Sequence, residues 1–108
     1  MAFEAYEVAQ QIIRELRTIV PLVHKHDPKQ ADQIRRAANA IVANVSEGAG
    51  RKGRVRQHHY AIAYSEAREV GAHLESGVSW GYLPEPRLRQ VRELLDRERA
   101  MLWRLSRG

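Results

Sequence analysis

A dense run of positive charge near the middle of the chain is the stretch best suited to bind a ligand. Residues 51–59 read RKGRVRQHH and carry four fixed positive charges, two histidines and no carboxylate. Arginine offers a planar fork of donors that matches phosphate, and lysine adds a mobile point charge. We therefore predict that Arg51, Lys52, Arg54 and Arg56 contact the phosphates of RNA or DNA. The alternative is a solvated turn without a partner.

Aromatic residues near this run are few. Tyr60 and Tyr64 follow it, so the sequence gives little reason to expect base stacking beside the charges. The predicted contact is therefore with the phosphates.

A second set of charged residues is predicted to hold helices together. If the chain folds back between residues 50 and 53, Arg35 and Arg36 lie level with Glu66 and Glu69. We expect ion pairs there that fix the helix register or join subunits. The alternative, in which Glu66 and Glu69 act as an acid–base pair, lacks a neighbouring nucleophile or oxyanion site.

The polar residues just before the basic run belong to the same predicted network. By the same register, Glu47 falls near Arg54 or Arg56. Asn44, Ser46 and Glu47 are expected to satisfy unpaired carbonyls and neighbouring amides at a helix end.

Other chemistries are disfavoured by residue type and spacing. The chain has no cysteine, which excludes disulfides and cysteine-based zinc sites. The histidine pairs at positions 24 and 26 and at 58 and 59 lack the spacing of helical metal ligands. Residues 48–53, GAGRKG, resemble a phosphate loop, but no strand precedes them and the Ser or Thr ending is missing. We expect no metal, no cofactor and no enzymatic activity.

The spacing of apolar residues defines the elements that must position these side chains. It predicts one domain over residues 1–108, with helices at about 3–26, 28–47, 54–80 and 85–105. Asp27 and Pro28 form a helix start. Gly48 and Gly50 are expected to supply the positive φ that ends the second helix. Pro21 is expected to kink the first helix without ending it.

Long helices, short turns and the lack of an alternating strand pattern indicate an all-α protein. The predicted arrangement is an antiparallel up-down-up-down four-helix bundle. An arginine-rich outer face is expected on helix 4, formed by Arg87, Arg89, Arg92, Arg97 and Arg99 among Glu93, Asp96 and Glu98. This face suggests an alternative function, a protein–protein adaptor that docks an acidic partner and does not contact nucleic acid. Trp80, Tyr82 and Trp103 are expected in the core or at an interface.

The bulk charge agrees with a polyanionic partner. The formal net charge is +5 and the isoelectric point is about 10.1. The N-terminus, MAFEAYEVAQ, carries acids and lacks the basic start and apolar run of a signal peptide. No apolar stretch approaches the roughly 20 residues needed to cross a bilayer. We expect a cytoplasmic protein without a membrane partner.

The stretch over residues 33–56 resembles a known family, the bacterial four-helix-bundle proteins encoded in intervening sequences of large-subunit ribosomal RNA genes. It is also similar to the accessory variability proteins of diversity-generating retroelements. The matching segments in this stretch are Gln33-Ile34-Arg35-Arg36-Ala37-Ala38, Ile41, Asn44-Val45-Ser46-Glu47-Gly48 and Gly50-Arg51. Downstream, His59-Tyr60, Ile62-Ala63, Ser65, Glu69, Leu74-Glu75 and Gly81-Tyr82-Leu83 also fit.

The resemblance implies a four-helix bundle that assembles as a barrel-like homopentamer with a basic surface and no known enzymatic activity. It implies a ribosomal-RNA setting or, for retroelement members, a nucleic-acid-binding partnership with a reverse transcriptase. The predicted function is therefore that of a non-catalytic, homo-oligomeric nucleic-acid-binding protein.

Overall fold

The computed structural model describes residues 2–108, and it contains no strand within that range. Four α-helices are present, which confirms the predicted all-α class: α1 (Ala2–His24), α2 (Pro28–Ala49), α3 (Gly53–Ser79) and α4 (Arg89–Ser106). A short 3-10 helix, Glu85–Leu88, precedes α4. The predicted fourth helix therefore begins as a tighter turn, because proline at positions 84 and 86 cannot donate the backbone bonds of an α-helix.

Each helix packs against two others. α1 contacts α2 and α4, and α3 likewise contacts α2 and α4. The buried apolar residues of all four helices form one core cluster. Residues near the end of α2 contact residues near the start of α3, and residues near the start of α2 contact residues farther along α3. Asn44 bonds to His59, and Gln30 bonds to His73. The basic turn between these helices therefore lies at one end of the molecule, with the α1–α2 turn at the other.

The start of α2 forms as the sequence predicts. Asp27 is its N-cap, and Asp27 Oδ1 accepts a hydrogen bond of 3.0 Å from the Gln30 backbone amide. Pro28 occupies the first turn, where its missing amide proton has no helical partner to lose. α1 continues through Pro21 to His24, so the proline does not end that helix.

The glycines before the basic turn do not behave as predicted. Gly50 caps α2 with φ −88°, and Gly48 lies inside the helix. The positive φ occurs instead at Gly53, at +60°, where α3 begins. Gly48 is needed for close packing, because a Cβ there would lie 2.8 Å from the Tyr60 ring.

The two glycines in the interior of α3, Gly71 and Gly77, differ in their surroundings. A Cβ at Gly77 would lie 2.9 Å from a Leu83 methyl group, so this glycine permits a close contact. A Cβ at Gly71 would lie 3.9 Å from its nearest neighbours, which is an ordinary contact distance. Close packing therefore accounts for Gly77 and does not account for Gly71.

Glu98 does not lie on the predicted face of α4, and the two tryptophans lie at the surface. Glu98, assigned above to the outer face of helix 4, is fully buried, and neither of its carboxylate oxygens has a hydrogen-bond partner. Trp80 and Trp103 are 72% and 49% exposed, so neither is a core residue, and their placement at an interface stays a prediction. No helix within residues 2–108 has an apolar segment long enough to cross a membrane.

Candidate nucleic-acid interface

The basic run forms the turn that joins α2 to α3. Residues 50–52 make the connection, and Gly53 turns the chain into the new helix. Lys52 is the N-cap of α3 in an extended conformation, and its side chain makes no capping hydrogen bond. Long side chains on this short turn project from one end of the molecule.

Two of the four predicted phosphate contacts have no competing ion-pair partner within residues 2–108. Lys52 and Arg54 are both exposed. Among the ion pairs that the structure shows within residues 2–108, none involves either side chain. Their charges are therefore available to an external anion without breaking an internal contact.

Arg51 differs because it is paired with Glu47. Its Nε and Nη2 atoms lie 2.9 and 2.6 Å from Glu47 Oε2. Both side chains are about half exposed, and they are four residues apart at the end of α2. The partner predicted for Glu47 was therefore wrong: it pairs with Arg51, and neither Arg54 nor Arg56 replaces it. Arg51 can reach a phosphate only in competition with this carboxylate.

Arg56 has a structural position. Its Nε donates to the backbone oxygen of Arg51 at 2.7 Å and to that of Gly48 at 3.3 Å. Carbonyls at a helix C-terminus lack partners within the helix and carry partial negative charge. Arg56 thus holds the end of α2 against the start of α3.

Arg56→Ala is expected to lower the free energy of unfolding by about 1–2 kcal/mol, because the carbonyls of Gly48 and Arg51 lose a charged donor. Urea unfolding measures this loss. Arg54→Ala is the matched control, since this exposed arginine has no ion-pair partner in residues 2–108, and its stability should stay within about 0.5 kcal/mol of the wild type. Equal stability of the two variants would contradict the structural role of Arg56.

Asn44 connects α2 to α3 just inside the turn. Its Nδ2 donates to the Ala40 carbonyl at 2.9 Å, which leaves Oδ1 to accept from His59 Nδ1 at 3.0 Å. The hydrogen bond assigns the Nδ1 proton to His59. This pair supports the predicted structural role of Asn44 and shows that His59 contributes to the packing of the turn.

The arginines of α2 are placed at the predicted level but do not make the predicted intrachain pairs. Arg35 and Arg36 are exposed, and no ion pair within residues 2–108 joins them to Glu66 or Glu69. Arg35 instead lines a groove between α1 and α2 together with Arg17. A contact between subunits through these arginines stays a prediction.

The two glutamates of α3 have separate environments. Burial, and secondly the charge of Glu69, raise the pKa of Glu66. Glu69 lies 3.5 Å from His73 on its own helix. The contacts around both glutamates are those of a helix surface. The charged partner of Glu69 is His73.

The C-terminal end of α4 adds features that the sequence reasoning missed. Gly108 abuts the Gln57 side chain near the start of α3, so the end of α4 lies beside the basic turn. The Arg107 guanidinium lies 4.4 Å from the centre of the Trp103 ring, and Tyr64 lies 5.8 Å from the same ring. The signal available in the sequence was the spacing of four residues between Trp103 and Arg107, which places both on one face of a helix.

In chemical terms the described site is an exposed cationic surface. It presents free cations at a helix turn, with a rigid backbone held by Arg56 and Asn44. Within residues 2–108 no group of three or more histidines, cysteines or acidic residues is placed to hold a metal ion.

The fold and this surface define a small all-helical protein with four helices and a basic turn. The family model for the 23S rRNA-intervening sequence protein matches residues 2–104. The chain therefore belongs to the 23S rRNA-intervening sequence protein family. No curated protein and no solved structure matches it significantly.

Proposed function

We propose that the protein binds RNA or DNA through the turn between α2 and α3, with Lys52 and Arg54 as the main phosphate contacts and Arg51 as a third. The observation that carries the proposal is that Lys52 and Arg54 are exposed and have no ion-pair partner within the described residues. The reference to an rRNA intervening sequence in the family's name supports a nucleic-acid setting. Arg56 acts indirectly, by fixing the turn.

The proposed assembly is a homo-oligomer of antiparallel up-down-up-down bundles, barrel-like and pentameric by the family resemblance. The helix order supports the bundle, since each helix packs against two neighbours and the contacts run in opposite directions along α2 and α3. Repeating the basic turn in each subunit raises avidity without strengthening a single contact. We further propose that the protein is cytoplasmic and acts without catalysis.

The alternative, an adaptor that uses the arginines of α4, has less support. Arg92 pairs with Glu75 and Glu85, and Arg99 pairs with Asp96. Arg87 donates to the hydroxyl and backbone oxygens of Thr18. Several charges of this face are therefore committed within the chain, whereas Lys52 and Arg54 of the basic turn have no ion-pair partner within residues 2–108.

The test compares RNA and DNA binding by the wild type and by Lys52→Gln/Arg54→Gln. The double variant should bind roughly 10-fold more weakly or worse at low salt, because it loses two phosphate contacts. Arg89→Gln/Arg97→Gln removes two charges from exposed positions of α4 and is the matched control for net charge. Equal losses in both double variants, or no binding by the wild type at low salt, would contradict the proposed site.

A further inference from the structure

Three aromatic rings form a continuous stack at the end of the molecule that holds the α1–α2 turn. The rings of Trp80 and Tyr82 have centres 6.4 Å apart and planes 14° apart. The rings of Tyr82 and His26 have centres 5.1 Å apart and planes 5° apart. The stack combines residues of the α3–α4 connection with a residue of the α1–α2 turn, and neither segment has a role in the basic turn.

Backbone and side-chain contacts hold the stacked rings in place. Gly81 adopts φ +82°, which turns the chain between Trp80 and Tyr82. The Tyr82 amide then donates to the Gly77 carbonyl at 2.8 Å, and Tyr82 Oη lies 3.4 Å from Asp27 Oδ2. The close contact between Gly77 and Leu83 holds the same connection against the core. The rings are therefore positioned before any ligand arrives.

The outer ring of the stack is open to solvent. Trp80 is 72% exposed, whereas Tyr82 is half-buried between it and His26. Trp103, the other tryptophan, is covered by the Arg107 guanidinium and lies beside Tyr64. Trp80 has one face toward Tyr82, and a further planar ring can extend the stack on the other.

One cation next to the stack in the chain is free to contact an anionic ligand. Asp27 accepts the hydrogen bonds of Gln30 and Tyr82, and Glu85 is paired with Arg92. Lys25, which precedes His26 in the chain, is exposed and has no ion-pair partner within residues 2–108. The local carboxylates are thus engaged in internal contacts while a cation is available.

We propose that Trp80, Tyr82 and His26 form a second contact for nucleic acid, at which an unpaired base of a single strand stacks on Trp80. The inference rests on the proposed function for the class of ligand, but it concerns a different end of the molecule. A flat ring carried by an anionic backbone matches both the open aromatic face and the neighbouring lysine. Bases inside a duplex already stack on one another, so the site selects single strands.

The experiment uses three oligonucleotides of equal length: a single strand, an abasic strand with the same phosphates, and a duplex. Trp80→Ala should weaken binding of the single strand by roughly 5- to 100-fold and leave the abasic strand and the duplex unchanged. Trp80→Phe, which keeps a ring, should recover part of the affinity. Because Trp80 is exposed, these variants should retain the helical content of the wild type.

Fluorescence provides a second readout in the Trp103→Phe protein, where Trp80 is the sole tryptophan. The single strand should quench its emission and the abasic strand should not. Unchanged affinity in Trp80→Ala, or equal quenching by both strands, would overturn the stacking site. So would self-association that Trp80→Ala abolishes without any quenching, since the stack would then be a contact between copies of the chain.

The two proposals fail in different ways. If the basic turn is not the phosphate site, Lys52→Gln/Arg54→Gln leaves binding unchanged while Trp80→Ala still weakens the single strand, which supports the stack. If only the stack fails, the double variant weakens all three oligonucleotides and Trp80→Ala weakens none. A wild type that binds none of the oligonucleotides overturns both.

Discussion

Glu98→Met is expected to raise the free energy of unfolding at pH 7 by about 3 kcal/mol. Glu98 is fully buried, and both carboxylate oxygens lack a hydrogen-bond partner. Burial raises its pKa from an ordinary value near 4.5 to about 8, and the charge of Arg97 opposes part of this rise. Each pKa unit corresponds to about 1.4 kcal/mol. At pH 7 the side chain is ionised in the unfolded state and neutral in the folded state, and this difference lowers the free energy of unfolding. Methionine is unbranched and of similar length, and it removes this cost.

The sign of the pH dependence follows from the same shift. Below about pH 4.5 the side chain is protonated in both states and imposes no proton-linked penalty. Between about pH 4.5 and 8 the folded state binds more protons than the unfolded state, so the wild type loses stability as pH rises. Above about pH 8 the loss is complete. The gain from Glu98→Met should therefore grow from pH 5 to pH 8 and then level off.

Urea unfolding of wild type and variant at several pH values between 4.5 and 9 measures this difference. Glu93→Gln, which removes an exposed glutamate from the same helix, should leave the pH profile of the wild type in place. A constant difference between Glu98→Met and wild type across this range would show that Glu98 ionises normally, and hence that it is hydrated in solution.

Gly48→Ala is expected to destabilise the protein by about 1–2 kcal/mol, although alanine is the better helix former. The new Cβ would lie 2.8 Å from Tyr60 Cε1 and 3.0 Å from Tyr60 Cδ1. Tyr60 is itself buried at 1% exposure, so its ring cannot move aside freely. Overpacking of this kind costs about 1–3 kcal/mol, which exceeds the gain of up to about 1 kcal/mol from replacing a helical glycine.

Gly71→Ala provides the matched control within α3. A Cβ there meets Leu95 and Arg99 at 3.9 Å, so the substitution should raise stability by up to about 1 kcal/mol. Thermal unfolding of both variants gives opposite shifts in Tm if the packing at Gly48 is as described. Stabilisation by both substitutions would mean that α2 and α3 lie farther apart near the basic turn.

The main lines of the fold could be predicted because they follow from local rules. Apolar residues at spacings of three and four define the four helices, and Asp27 with Pro28 marks the start of α2. The helix ends were harder to predict, because they depend on tertiary packing around each turn. The reversal into α3 occurs at Gly53, while Gly48 is needed for contact with Tyr60.

Glu98 shows how residue type can obscure a pattern. Val91, Leu95, Glu98, Leu102 and Leu105 are spaced four, three, four and three residues apart. This is the spacing of a buried helical stripe, and Glu98 occupies a position in the middle of it. Its charge led to the wrong face, whereas the periodicity alone would have placed it in the core.

The exposure of residues at the candidate site could be predicted from the sequence, but their contacts could not. Exposure of Lys52 and Arg54 follows from a short polar turn. Glu47 pairs with Arg51, which lies four residues away, because such a local pair forms without a second helix having to be positioned. The Trp80–Tyr82–His26 stack joins two turns far apart in sequence, and only the packed structure brings them together.

The salt dependence of binding tests the central claim most directly. The dissociation constant for a nucleic acid that the wild type binds is measured between 50 and 200 mM salt, for the wild type and for Lys52→Gln/Arg54→Gln. Each phosphate contact contributes about 0.7 to 0.9 to the slope of log affinity against log salt. The account predicts that the double variant loses roughly 1.4 to 1.8 from this slope per engaged subunit. An unchanged slope would contradict the basic turn as the phosphate site.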